Sequence, residues 1–318
     1  HYRITGEFIT LSPLSHIGEA ISTNSYLVEE PILQQNGSIE NVFSYSGNAW
    51  RGQLRDLSAS YMLDKLNTSN ISIDAFHLLF SGGKIGGDQS IDLTQARLMR
   101  RIVPMISVFG GGVGNQILPG KLRVGSSYPA CHETINILPE SFESECAKTS
   151  YRMMTTEKSF TRFDDSKNPE LVNLLPQENV LFLESGEKKQ KKDGDVSTQM
   201  RMSSELIIAG VKLVHEIDMI DCTEIELGVV VSAIHEFSKS PYIGGQCNKG
   251  HGKVSYKSTI VNMRTGEIND FCTIARGDAC KLSDVAASAK ESYDTHLREQ
   301  YEAYLSNKSS EIVGLLGA

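Results

Sequence analysis

Residues 241–254 read PYIGGQCNKGHGKV, and this stretch decides how the fold is interpreted. It holds four glycines and two lysines: Gly244, Gly245, Gly250, Gly252, Lys249 and Lys253. Glycine adopts positive φ without strain and lets a ligand approach the backbone closely, and the lysines indicate an anionic ligand. The sequence predicts a helix before this turn and a strand after it. The glycine loops of nucleotide-binding folds follow a strand and precede a helix, so the reversed order argues against those folds.

The composition is that of a water-soluble globular protein. The chain has 318 residues, of which 40% are hydrophobic and 22% charged, enough for one large domain or two modest ones. No apolar run approaches the roughly 20 residues of a membrane span, and no signal peptide is recognised. Six cysteines without a close framework predict free thiols in a reducing cytoplasm. Cys247 and His251 lack a second ligand pair, so we expect neither a metal nor a cofactor.

The charge is unevenly distributed. The net charge of −8 is unusual for a protein that binds nucleic acid. However, residues 84–123 contain six basic and two acidic residues. Contacts to phosphate are local, so a basic groove can exist on an acidic protein.

The first half of the chain predicts a strand over residues 2–11, a long loop over 20–35 and a helix over 47–66. The helix carries one apolar stripe: Trp50, Leu54, Leu57 and Tyr61. Two short helices are predicted over 73–80 and 92–101. Residues 102–109 fit either a strand or a buried helix. Gly110–Asn115 then fits either a flexible loop or a nucleotide-binding fingerprint, although no helix is predicted after it.

The second half repeats a strand-helix-strand pattern. Residues 148–200 predict a surface hairpin with a mobile loop, and 206–220 predict a strand interrupted at Gly210. Thr223 and Glu226 form a capping-box signature before a helix that ends ahead of Pro241. A last helix begins after Ser283. This pattern predicts an α+β protein with helices on one face of antiparallel sheets.

Three motifs in this order resemble a known family. They are residues 12–18 (SPLSHIG), residues 45–55 (YSGNAWRGQLR) and the glycine-rich turn. Together they resemble the RAMP superfamily of CRISPR-associated proteins, specifically the repeated backbone subunit (the Cas-seven group), and are most similar to subunit two of the type IV Csf family. The resemblance covers about residues 2–66 and 205–263. It implies a modified RRM-like (ferredoxin-like) antiparallel palm with a thumb hairpin and a helical insertion.

The resemblance also suggests a division of the chain. We expect an RRM-like palm from residues 1–70 and 205–282, a finger-like insertion over 71–147, a thumb hairpin with a mobile loop over 148–204, and a C-terminal helix over 283–318.

The resemblance implies a role in an RNA-guided complex. Copies of the subunit would form a helical filament along a CRISPR guide RNA, hold its phosphate backbone and present its bases to a complementary target. The type IV branch implies a DNA target rather than RNA, together with other effector subunits and a helicase as partners. No membrane partner is expected.

The candidate RNA-binding residues come from the three motifs and from two basic segments. Arg51 and Arg55 lie in the first turns of a helix, where the N-terminus attracts phosphate, and the segment from Arg152 to Phe163 interleaves aromatic and basic residues, as in a hairpin that stacks on bases. A solvated protein surface is the alternative for each of these residues. The full set is His16, Gly18, Trp50, Arg51, Arg55, Arg97, Arg100, Arg101, Arg152, Arg162, Gly244, Gly245, Lys249, Gly250, His251 and Lys253.

We expect no catalytic activity. The type III relatives cut target RNA with an aspartate after the motif that ends at Gly18, where this chain has Asn24. An amide neither ligates a metal nor accepts a proton as a carboxylate does. Two alternatives stay open: an endoribonuclease that processes precursor RNA with His16 as general base, and a nucleotide-binding enzyme that uses Gly110–Asn115 and requires a parallel sheet.

Overall fold

The computed structural model describes residues 1–67, 71–83, 93–113, 116–161 and 201–302. Several predictions concern residues outside these ranges. They are the RNA contact Arg162, the mobile loop within 162–200, Gly114 with Asn115, and the end of the C-terminal helix beyond residue 302.

The elements of the described residues are numbered here in chain order. The strands are β1 Tyr2–Thr10, β2 Ile17–Ile21, β3 Asn24–Leu27, β4 Glu29–Leu33, β5 Ile39–Phe43, β6 Gly111–Val113, β7 Gln116–Leu118, β8 Leu122–Val124, β9 Tyr128–Pro129, β10 Thr155–Thr161, β11 Arg201–Ile207, β12 Lys212–Met219, β13 Val254–Asn262, β14 Ile268–Ile274 and β15 Lys281–Leu282. The α-helices are α1 Gly47–Lys65, α2 Ile73–Phe76, α3 Leu93–Ile102, α4 Pro104–Phe109, α5 Glu143–Cys146, α6 Glu224–Phe237 and α7 Asp284–His296. None of these helices is long and apolar enough to cross a membrane.

The largest sheet has the order β15-β14-β13-β1-β12-β8, and β9 also pairs with β12. All of its pairings are antiparallel. In β1 the side chains of Ile4, Phe8 and Thr10 are buried, while the intervening residues are more exposed, as expected when one face of a sheet covers a core. The predicted α+β class with an antiparallel sheet is confirmed. The nucleotide-binding alternative required a parallel sheet and is therefore set aside.

Helices α1, α6 and α7 cover the buried face of this sheet. The ring of Trp50 on α1 lies 5.2 Å from that of Phe8 and 5.0 Å from that of Phe237 on α6. Edge-to-face aromatic packing at these centroid distances is favourable. The core therefore packs β1 together with a helix from each half of the chain, α1 from the first and α6 from the second.

The predicted helix starts are confirmed by their caps. The Ser46 hydroxyl accepts a hydrogen bond from the Ala49 amide at the start of α1. Thr223 and Glu226 form the predicted capping box of α6, and the Ser283 hydroxyl caps α7. Each cap satisfies an amide that the helix itself leaves without a partner.

A second sheet has the order β10-β11-β3-β2. β10 and β11 pair antiparallel along their whole length, whereas β11 and β3 form a short parallel pair. The hairpins β4–β5 and β6–β7 complete the strands. β10 lies within the range 148–200 for which the sequence predicts a hairpin, whereas its partner β11 begins after that range.

Three sequence predictions are corrected or resolved by the structure. The prediction of a long loop over residues 20–35 is wrong, because β2, β3 and β4 occupy most of this range. The prediction of a single strand over residues 206–220 is also wrong, because the chain turns between β11 and β12 at Gly210, which has φ of 93°. Residues 102–109 include the buried helix α4, which begins with Pro104, a residue favoured in a first helical turn.

Candidate nucleic-acid interface

The glycine-rich turn is held in its shape by contacts that only glycine allows. Gly244 and Gly252 have φ of 75° and 82°. A Cβ atom at Gly252 would lie 2.0 Å from the carbonyl oxygen of Ile243, and one at Gly244 would lie 2.3 Å from that of Ser15. These two glycines are needed both for their backbone angles and for close backbone packing.

The turn is fixed to the loop that follows β1. The Gly245 amide donates to the Ser15 carbonyl at 2.6 Å, and the Gly252 amide donates to the Pro13 carbonyl at 2.8 Å. The same loop reaches the second sheet, because Leu14 and Ile207 exchange backbone hydrogen bonds. As a result, the turn lies beside β11 and β10.

A cavity of about 190 Å³ lies between the turn and the second sheet. We call it the turn–sheet cleft, and it is lined by Lys158, Phe160, Ser204, Leu206, Gln246, Lys249 and His251. Lys158 and Phe160 are two residues apart on β10, as are Ser204 and Leu206 on β11. Alternate side chains of a strand share a face, so both strands present one face to the cleft.

The cleft is positively charged. Lys158 and Lys249 are exposed, and no carboxylate is among the lining residues. The Lys249 ammonium lies 4.1 Å from the centre of the Phe160 ring, a cation–π contact. A cleft with lysines, a half-buried aromatic ring and a hydroxyl group has the chemistry to bind a phosphate next to an unpaired base.

His251 is the buried titratable group of the cleft. Only 6% of its surface is exposed, and its Nδ1 has no hydrogen-bond partner. Burial lowers the pKa of this imidazole below its ordinary value, and the charges of Lys158 and Lys249 lower it further. His251 is therefore held in its neutral form next to two cations.

The predicted RNA contact at Arg55 is wrong, because its guanidinium is buried inside the protein. Its Nε donates to the Leu79 carbonyl at 3.0 Å, and its Nη2 donates to the Gly110 carbonyl. Burial, together with the nearby charge of Arg51, lowers the pKa of Arg55 to about 10. Arg51 is half-buried and donates to the Phe109 carbonyl. Both arginines therefore hold α1 against the end of α4, and Arg55 also holds it against the segment that contains Leu79.

The prediction that Trp50 contacts RNA directly is also wrong, because its side chain is completely buried. Its indole packs in the aromatic core between β1 and α6. A residue whose surface is closed to solvent cannot stack on a base without unfolding its surroundings.

His16 lies between the loop after β1 and the start of α1, whereas Gly18 lies in the exposed strand β2. The half-buried ring of His16 packs against Tyr45, with 5.0 Å between ring centres. Its Nε2 accepts a 3.4 Å hydrogen bond from the Ser46 amide. Burial lowers the pKa of His16, so the ring stays neutral as this acceptor.

Four of the predicted arginines, Arg97, Arg100, Arg101 and Arg152, are not among the residues that line the turn–sheet cleft. Arg97 and Arg101 are exposed on α3, and Arg100 donates to the Pro119 carbonyl. Arg152 is exposed in a short 3₁₀ turn before β10. Their exposure leaves Arg97, Arg101 and Arg152 open to a partner, but they are not part of the same cavity.

Gly245, Gly250 and Lys253 belong to the turn, and Lys253 immediately precedes β13. Gly250 has open space around its Cα, and Lys253 is exposed while its amide donates to the Ser12 hydroxyl at 3.0 Å. Lys253 therefore has its side chain free while its backbone anchors the turn.

Sequence reasoning did not select five of the seven lining residues. Lys158 and Phe160 belong to a segment that was interpreted as a stacking hairpin, but only arginines were chosen from it. Ser204, Leu206 and Gln246 carry no charge that would single them out. The signal for Lys158 and Phe160 was their i, i+2 spacing, which places a cation and an aromatic ring on one face of a strand.

Within the described ranges, no three His, Cys, Asp or Glu side chains are grouped in a way that could hold a metal ion.

Comparisons with known proteins show the fold alone. No family model matches the sequence, and no curated protein matches it. A chain of the solved structure named "Type IV-B CRISPR Complex" superposes with a TM-score of 0.56 at 18% sequence identity. The superposition covers 82% of this chain and 91% of that chain. The chain therefore shares its overall fold with a component of that complex.

Proposed function

We propose that this protein is a backbone subunit of a CRISPR RNA-guided effector complex and that it binds the guide RNA through the turn–sheet cleft. The observation that carries this proposal is the cleft itself, in which two lysines and a histidine face an aromatic ring without a carboxylate. The fold shared with a chain of a CRISPR complex supports the same conclusion.

The size of the cleft favours a polymer over a small-molecule cofactor. Ligand pockets commonly measure about 300–1,000 Å³ and bury most of their ligand. A cavity of about 190 Å³ is large enough for one phosphate and part of one nucleoside. Such a site suits a strand that runs past the protein and contacts it at one point per subunit.

Repetition along the RNA is the second part of the proposal. Leu33 and Ile39 are directly opposite each other on the hairpin β4–β5, and 69% and 66% of their surfaces are exposed. An exposed apolar cross-strand pair suits contact with another protein surface. We propose that neighbouring copies in a filament cover such surfaces and that other effector subunits and a helicase join the assembly. The complementary target is proposed to be DNA.

The protein is proposed to bind its target without cutting it. Asn24 lies at the start of β3, and its side-chain carbonyl accepts a hydrogen bond from the Ser203 hydroxyl at 2.8 Å. Two nearby carboxylates are engaged elsewhere: Glu29 accepts from the Tyr151 hydroxyl at 2.7 Å, and Glu30 accepts from the Ser44 hydroxyl at 2.9 Å. These acids stabilise the packing around β4 instead of facing a scissile phosphate.

The absence of cleavage has its own test. The purified complex is incubated with a complementary RNA and magnesium, and no regularly spaced products are expected. Cleavage that Glu19→Ala or Glu29→Ala abolishes would contradict the proposal. Cleavage of repeat RNA that His16→Ala abolishes would instead support the endoribonuclease alternative.

Assembly on RNA is tested by purifying the full chain from cells that express a guide RNA. A particle much larger than 35.0 kDa, with a high ratio of absorbance at 260 to that at 280 nm, is expected. Ribonuclease treatment should break this particle down to smaller species. A monomer free of nucleic acid, in spite of a correctly folded chain, would contradict the proposed function.

A further inference from the structure

His251 is the titratable side chain of the turn–sheet cleft that is buried, since both lysines of the cleft are exposed. With 6% of its surface exposed, its Nδ1 cannot reach bulk water and has no partner in the protein. A buried polar atom without a hydrogen bond costs free energy. The imidazole therefore gains from a ligand whose entry into the cleft lets it form a hydrogen bond.

The charges around His251 are all of one sign. Lys158 reaches it from β10 and Lys249 from the glycine turn, while β11 contributes the neutral Ser204. On the loop after β1, the Pro13 carbonyl is the single group that favours protonation. Burial, reinforced by the two lysines, holds the pKa of His251 below its ordinary value in the empty cleft.

A bound phosphate would reverse this balance. A negative charge between the two ammonium groups cancels their repulsion of a proton on the imidazole, and a phosphate oxygen can accept a hydrogen bond from the protonated imidazole. The protonated form then gains a charge-assisted hydrogen bond to the phosphate.

We propose that the turn–sheet cleft is a subsite for one phosphodiester of single-stranded RNA and that His251 takes up a proton as this phosphate binds. This inference rests on the proposed function. The inference adds to that function a pH dependence of RNA affinity, in which lower pH favours binding. The histidine pKa is higher in the bound than in the free state, so affinity rises as pH falls through the bound pKa and becomes constant below the free pKa.

The test measures the binding of a short fluorescein-labelled oligouridine by fluorescence polarisation, at constant ionic strength, from about pH 8 to about pH 5.5. Native protein should bind up to roughly tenfold more tightly for each pH unit within the window. His251→Gln keeps a polar side chain that does not titrate, so its affinity should depend much less on pH. Lys257→Gln removes an exposed lysine of β13 outside the cleft and should retain the native dependence.

A second measurement does not depend on any variant folding. The imidazole of His251 in native protein can be titrated by NMR with and without the oligouridine. A higher pKa in the bound state is expected. An unchanged pKa, a flat affinity profile, or a His251→Gln variant with the native pH dependence would each overturn the proton uptake while leaving the proposed function in place. Failure of the native protein to bind RNA at any pH would contradict the proposed function as well as the inference.

Discussion

The arginines of α1 and the lysines of the turn–sheet cleft are both basic groups within predicted RNA-binding motifs, but the structure surrounds them differently. Arg55 is buried, and its guanidinium donates to the carbonyls of Leu79 and Gly110. Lys158 and Lys249 keep exposed ammonium groups beside a cavity. Arginine has several donors in a planar fork and suits carbonyl groups as well as phosphates. Positive charge in a motif therefore indicates RNA binding only where solvent can reach it.

The outer face of the large sheet also carries basic residues, but two of them, Arg3 and Lys212, are each paired with a carboxylate. Arg3 pairs with Asp218 at 2.9 Å, and Lys212 pairs with Glu7 at 2.9 Å. These cations are exposed enough to meet a ligand, but carboxylates already balance them. The turn–sheet cleft lacks carboxylates among its lining residues, which sets it apart from this face as a site for phosphate.

The largest expected effect comes from Arg55. Arg55→Met should lower the free energy of unfolding by about 2–4 kcal/mol, because two buried carbonyls lose their hydrogen bonds. Urea unfolding can be followed by the fluorescence of Trp50, the single tryptophan. Arg97→Met, on an exposed part of α3, should change stability by less than about 0.5 kcal/mol. If Arg55→Met is stable but binds RNA severalfold more weakly, the contrast between the two regions breaks down.

A smaller effect is expected from two glycines of the same turn. Gly250 and Gly252 have nearly equal φ, 81° and 82°, but a Cβ atom meets open space at Gly250 and the Ile243 carbonyl at Gly252. Gly250→Ala should cost about 1 kcal/mol from the backbone angle alone. Gly252→Ala should cost about 2–3 kcal/mol and should also weaken RNA binding, because the backbone must shift. Equal losses in thermal and urea unfolding would show that the turn is not packed against Ile243.

Much of the fold was predictable because its signals are local. The caps at Ser46, Thr223 and Ser283 and the apolar stripe of α1 depend on residues within a few positions of each other, and the structure confirms them. The strands β2 to β4 were missed because they are short and partly exposed. Every residue of β2 is exposed, so the strand has no alternation of apolar and polar residues to detect.

The site was predictable only in part, because it is assembled from distant segments. The glycines and Lys249 belong to one stretch whose composition indicates an anion site. Lys158 joins them only because Leu14 and Ile207 pair and bring the second sheet beside the turn. The burial of Arg55 depends on carbonyls that lie far along the chain. A sequence pattern over a few neighbouring residues does not predict contacts between segments so far apart in the chain.

The most direct test of the central claim is the salt dependence of RNA affinity for Lys158→Gln and Lys249→Gln, separately and together, with Lys257→Gln as the matched control. Each cleft variant should weaken the binding of single-stranded RNA by about tenfold, and the slope of log affinity against log salt should fall by about 0.7 for each lost phosphate contact. The control should match native protein in both. Native affinity and slope in the double variant, with its fold intact, would contradict the claim that the turn–sheet cleft holds the RNA backbone.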